Sequence, residues 1–128
     1  MSHFSNIKTQ LRDLDTLKTA LSKLGMEWQE GPSAVRGYQG QTVSAALVIS
    51  QENNYDLGFC WNGREYELVT DLQYWQQPLS VEGFLQKITQ GYALETVLRE
   101  SAQQGFQVAE QETQADGAVR LVVQRWSA

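Results

Sequence analysis

Apolar and polar residues alternate with a period of two over much of this chain, and a 3.6-residue period replaces it in three stretches. Residues 4–11 predict a first strand, with Ser5, Ile7, Thr9 and Leu11 on one side. Asp13 fits an N-cap, after which Leu14, Leu17, Leu21 and Leu24 recur at helical spacing until Gly25, placed where a C′ glycine belongs. Met26 and Trp28 open a second strand, Glu30-Gly31-Pro32-Ser33 reads as a turn, and residues 34–38 read as a short strand. Val43, Ala45, Leu47 and Ile49 then mark the buried face of the next strand, which residues 51–54 turn.

Asn62-Gly63 is a strong hairpin signal, because both central positions of a type I′ turn need positive φ. A two-residue turn there pairs Trp61 with Arg64, Phe59 with Tyr66, Leu57 with Leu68 and Tyr55 with Thr70. One sheet face then carries Tyr55, Leu57, Phe59, Trp61, Tyr66 and Leu68. The other carries Asp56, Gly58, Cys60, Glu65, Glu67 and Val69.

Ser80 caps a helix with Val81, Phe84, Leu85 and Ile88 inward, which Gly91 ends or kinks. A further helix turns Leu94, Val97, Leu98 and Ala102 inward and stops at Gly105. Residues 106–112 and 118–126 predict a last hairpin across Asp116-Gly117. A strict two-residue turn would set Glu110 opposite Val123, on the apolar side, so a longer or bulged loop is expected. The order β-α-β-β-β-β-β-α-α-β-β predicts a single α+β domain over residues 1–128. It has two layers: a mostly antiparallel sheet with about three helices packed on one face.

Composition narrows the function classes. With 41% apolar and 20% charged residues the chain has a globular balance. The longest apolar run, Ala45–Ile49, falls far short of the ~20 residues of a membrane helix. The first residues resemble neither a secretory signal nor a transit peptide, so a cytosol is expected, or a stroma if the gene is plastid-borne. A net charge of −5 with scattered Lys and Arg argues against DNA and weakens the case for RNA. One cysteine and one histidine make neither an internal disulfide nor a zinc or iron–sulfur ligand set, so no metal and no cofactor are expected.

Catalytic constellations are thin. Asp56, Glu65 and Glu67 share a predicted face, which solvent exposure explains. Cys60 with His3 would need an imidazole within hydrogen-bond reach, and Glu65 as a cross-strand neighbour would raise the thiol pKa. Residues 37–42 are glycine-rich but lack the Gly-Lys-Ser/Thr end of a phosphate loop. No catalytic residue is expected. The adjacent aromatics Tyr74 and Trp75 form either a lid on the core or, with Gln73 and Gln76, the candidate anchor for a protein partner, with at least one ring expected to be exposed. The alternative is a small-molecule pocket or enzyme site between sheet and helices. Tyr55, Phe59, Trp61 and Tyr66 would line it, and Arg36, Tyr38 and Arg64 would be its polar groups. RNA stacking on sheet aromatics is the weakest option.

Segments along nearly the whole chain carry a family resemblance. They are Met1–Ser5, Ile7–Thr9, Arg36–Thr42, Asn53–Asp56, Trp61–Gly63, Glu65–Val69, Asp71–Gln77, Gly105–Val108 and Gln124–Trp126. The chain resembles the hypothetical chloroplast reading frame family number thirty-five, also known as the domain of unknown function numbered twelve fifty-seven. The resemblance implies a cyanobacterial or plastid source and an accessory part in a photosynthetic or redox-linked assembly. It brings no catalytic motif.

Overall fold

The computed structural model describes residues 3–115 and 117–125. Met1, Ser2, Asp116 and Trp126, which enter the expectations above, lie outside the described residues. The elements are β1 (Ser5–Leu11), α1 (Leu14–Lys23), β2 (Gln29–Arg36), β3 (Thr42–Ile49), β4 (Leu57–Trp61), β5 (Tyr66–Thr70), α2 (Val81–Gln103), β6 (Phe106–Thr113) and β7 (Val119–Arg125). Strands β1 to β5 form an antiparallel sheet in the order β1-β5-β4-β3-β2, while β6 and β7 form a separate ribbon.

The helices pack on one sheet face. Leu17 and Leu21 of α1 and Phe84 and Ile88 of α2 meet Leu47, Leu57, Phe59, Tyr66 and Leu68. Each such side chain removed from water contributes roughly 1.5–3 kcal/mol. Capping works as the sequence implies: Asp13 accepts from the Asp15 N–H and Ser80 from the Gly83 N–H. Tyr92 of α2 accepts the Asp13 N–H at 3.0 Å, and buried Glu95 pairs with Lys23 at 2.7 Å, tying the two helices together.

Two helices replace the expected three. Gly91 does not end α2, which runs on through it, and it lies where the two helices meet. A Cβ there would stand 3.4 Å from Leu24 Cδ1 and 3.8 Å from Ala20 Cβ. Val97, expected inward, is 43% exposed.

The predicted turn at residues 30–33 is instead the middle of β2, which carries a cis Gly31–Pro32 bond and a register shift between Glu30 and Ser33. Proline is tolerated because β2 is an edge strand and needs no N–H there. The central hairpin has a four-residue turn, with the Asn62 N–H bonded to the Glu65 carbonyl and Asn62 Oδ1 accepting from Arg64 and Glu65. Trp61 therefore faces Tyr66 and Phe59 faces Leu68. This register is two residues from the expected one, and a shift of two preserves face parity. Leu57, Phe59 and Leu68 accordingly lie on the helix side. Tyr55 precedes β4 and leaves that core, and Trp61 is 50% exposed. The last hairpin has the longer loop and the bulge expected of it: Thr113 pairs with Val119, and the register shifts between Val108 and Glu110.

Over β4, the opposite sheet face is covered by the protein's own β2–β3 ribbon. Ile49 pairs with Leu57, whereas Arg36 pairs with Thr42, roughly 23 Å back along an extended strand. Arg36 nevertheless bonds Asp56, just before Leu57, so the ribbon curls over β4. Gly58 makes the curl possible: a Cβ at that position would collide with Val35 Cγ2. Val35, Ala45 and Val48 form a small second core there, with Phe4 and Cys60 against it.

Candidate functional site

The curl brings together segments that the sequence separates widely. Tyr38 follows β2, Tyr55 precedes β4, and Tyr74 ends a one-turn 3₁₀ helix, Leu72–Tyr74, after β5. The three rings stack with Tyr74 in the middle. Tyr55 lies 3.9 Å away at 8°, and Tyr38 lies 6.1 Å away at 14°.

Gln51 is the hub beneath the stack. Its buried amide donates to the Tyr55 carbonyl at 2.6 Å and the Tyr74 carbonyl at 3.1 Å. Its oxygen accepts from the Gln76 N–H at 2.9 Å and from Gln77 Nε2 at 3.0 Å. Asn53 adds a bond to the Tyr74 carbonyl at 2.9 Å and accepts the Tyr55 N–H. Asp71 caps the 3₁₀ turn through the Gln73 N–H, while its buried Oδ2 has no hydrogen-bond partner among the described residues. Burial raises the Tyr55 phenol pKa, helped by its hydrogen bond with Tyr74 and by the Asp71 charge.

The loop after β5 is held from the other side by Trp75. Its ring meets Phe84 edge-on at 5.1 Å and its Nε1–H donates to the Leu79 carbonyl at 2.8 Å. Neither Tyr74 nor Trp75 projects freely; both are half-buried, which corrects the expected exposed ring. The reason is local: consecutive residues at the end of the 3₁₀ turn point into two different packing sites, the tyrosine stack and the helix layer. What the loop exposes is Leu72, Gln73, Gln76, Pro78 and Leu79.

Of the alternative pocket residues, Arg36 and Tyr38 join this cluster and Arg64 does not. Arg64 sits in the β4–β5 turn, at the far end of the hairpin from Asp56. Arg36 is not free to meet a ligand, since its guanidinium is committed to Asp56 and Asn54. Phe59, expected to line the pocket, is fully buried between sheet and helices beside Leu57 and Leu68.

The carboxylates expected on one open face separate. Asp56 is buried against Arg36, Glu67 accepts from Asn6 and Asn62, and Glu65 lies in the turn. Cys60 pairs with Glu67, not Glu65, and its thiol pKa is raised by burial first and by Glu67 second. No group of three or more metal-ligating side chains occurs among the described residues. Gln51, Asn53, Asp56 and Asp71 were not foreseen as site residues. The signal that could have found them is the density of Gln, Asn and Tyr around two turns.

Fold and site together define an α+β protein with a hydrogen-bonded, aromatic-anchored surface loop. The chain belongs to the family described as Protein of unknown function (DUF1257), which matches residues 20–122. It is 50% identical over 126 residues to "Uncharacterized protein ycf35" of Guillardia theta, covering 98% of both chains. The proteins of that name from Cyanophora paradoxa and Pyropia yezoensis are 44% and 42% identical, covering 98% and 99% of both chains. These relatives are plastid-encoded. No solved structure matches the chain. No helix among the described residues is long and apolar enough to cross a membrane.

Proposed function

We propose that this protein is a non-catalytic binding or assembly module that docks a protein partner on the loop 71–79. The observation that carries the reading is a contrast within the loop. Tyr74, Trp75 and the Gln51 hub fix its backbone, while Leu72 and Leu79, 43% and 40% exposed, stand outward beside Gln73 and Gln76. A loop already held in one conformation loses little entropy on binding, and apolar side chains with a polar rim are the usual anatomy of such a contact. In this reading the module works in a plastid stroma or a cyanobacterial cytosol, in an accessory role to a photosynthetic or redox-linked complex.

The test compares baits in affinity capture from native lysate, read by mass spectrometry. Wild type and an Arg64→Glu control are expected to retain a protein that Leu72→Glu/Leu79→Glu loses. An identical set on all three baits, each shown to be folded, removes the loop as the docking face.

A further inference from the structure

The β6–β7 ribbon stands apart from the main sheet, with α2 packed against β6. Each strand of this two-stranded ribbon has one edge with no further strand beside it among the described residues, and on β6 that edge carries the register shift between Val108 and Glu110. Other edges are blunted. Edge strand β2 carries Pro32, and β1 has a register irregularity with Gln10 at positive φ. Strand β7, Val119-Arg120-Leu121-Val122-Val123-Gln124-Arg125, has no proline, no glycine and no bulge of its own. An edge of this kind is a template for strand addition.

The sequence of β7 selects the occupant. Laid antiparallel against itself about Val122, it sets Leu121 opposite Val123, Arg120 opposite Gln124 and Val119 opposite Arg125. Apolar residues meet at the centre and no two like charges are directly opposed, which is the self-complementarity a two-fold contact requires. The axis stands perpendicular to the ribbon, so α2 and its symmetry copy fall on the same side. Val119 and Leu121 line a groove with Leu94 and Val97 of α2. Val97 and Val123 are 43% and 39% exposed, and together these side chains make an apolar strip that the second copy would continue.

We infer that the outer edge of β7 is a homodimerisation site, where a second copy of this chain adds its own β7 to form a four-stranded sheet β6-β7-β7′-β6′. This site is distinct from the loop 71–79.

The experiment is analytical ultracentrifugation of the full chain, with circular dichroism to confirm folding. Wild type is expected to sediment at twice 14.5 kDa. Val122→Lys and Val122→Glu each place like charges across the axis and are expected to sediment as monomers, and their mixture as a heterodimer. A wild-type monomer up to ~100 μM, or a dimer that neither variant dissociates, overturns the inference. Mild oxidation of Val122→Cys in a Cys60→Ser background gives an answer even if the charged variants unfold. Directly opposed Cα atoms lie ~4.5–5.5 Å apart, within disulfide range, so a covalent dimer is expected. Its absence, or equal crosslinking of Gln73→Cys, counts against the site.

Discussion

The Arg36 guanidinium grips the Asp56 carboxylate in a two-pronged contact, Nε to Oδ2 and Nη2 to Oδ1, both at 2.8 Å. Asp56 also accepts the Arg36 N–H at 2.8 Å, and the Asp56 N–H returns a bond to the Arg36 carbonyl. The carboxylate is buried while Arg36 is half exposed. Arg36→Ala therefore strands a buried charge and is expected to lower the urea unfolding midpoint. Arg36→Lys should lower it by most of the same amount, because an ammonium cannot fork. An unmoved midpoint for both would show the contact to be incidental.

Trp75 and Tyr74 should separate from the exposed part of their loop. Trp75→Ala removes a ring from the helix layer and is expected to cost ~3–5 kcal/mol, and Tyr74→Ala ~2–4 kcal/mol. Leu72→Glu should stay within ~0.5 kcal/mol of wild type, as exposed substitutions do. Denaturant unfolding of the three variants checks the order.

Gln51→Ala would leave the Tyr55 carbonyl without this donor, the Tyr74 carbonyl with Asn53 alone, and the Gln76 N–H without its acceptor. A cost of ~2–4 kcal/mol follows from orphaning several part-buried groups. Amide exchange at Gln76 should quicken by more than that at Leu68, and equal protection would contradict the hub.

Cys60 should react slowly. Burial and the Glu67 charge both favour the thiol over the thiolate, so at pH 8 less of it is ionised than of an ordinary cysteine. Alkylation with iodoacetamide should lag a free thiol and gain rate through the alkaline range. Glu67→Gln should speed it, by less than about tenfold.

Gly91→Ala is expected to stabilise α2 by up to ~1 kcal/mol, since helix propensity improves and the new methyl would meet Leu24 at ordinary contact distance. Gly91→Leu should instead push the helices apart and destabilise. Thermal unfolding of the pair gives the sign.

Local chemistry carried much of the fold. The caps at Asp13 and Ser80, the faces of the central hairpin and the loop of the last one follow from residues close in sequence. Gly91 shows the limit, because a residue that weakens an isolated helix lies mid-helix here, where two helices pack. Pro32 shows another, since whether it ends a strand depends on its being at an edge. The tyrosine cluster was legible only in pieces. Tyr38 and Tyr74 stood out as candidates in separate readings, but the contact between them depends on the curl of β2–β3. That curl depends on a missing side chain at Gly58, which a pattern of apolar positions does not register.

The curl also bears on how the native chain opens. The bed that Val35 occupies has Gly58 as its floor. Closing the ribbon onto it joins residues about twenty apart through Arg36 and Asp56, a loop whose entropy must be lost before its contacts form. This contact is the latch of the ribbon. The latch is then also the place where the native chain should begin to open.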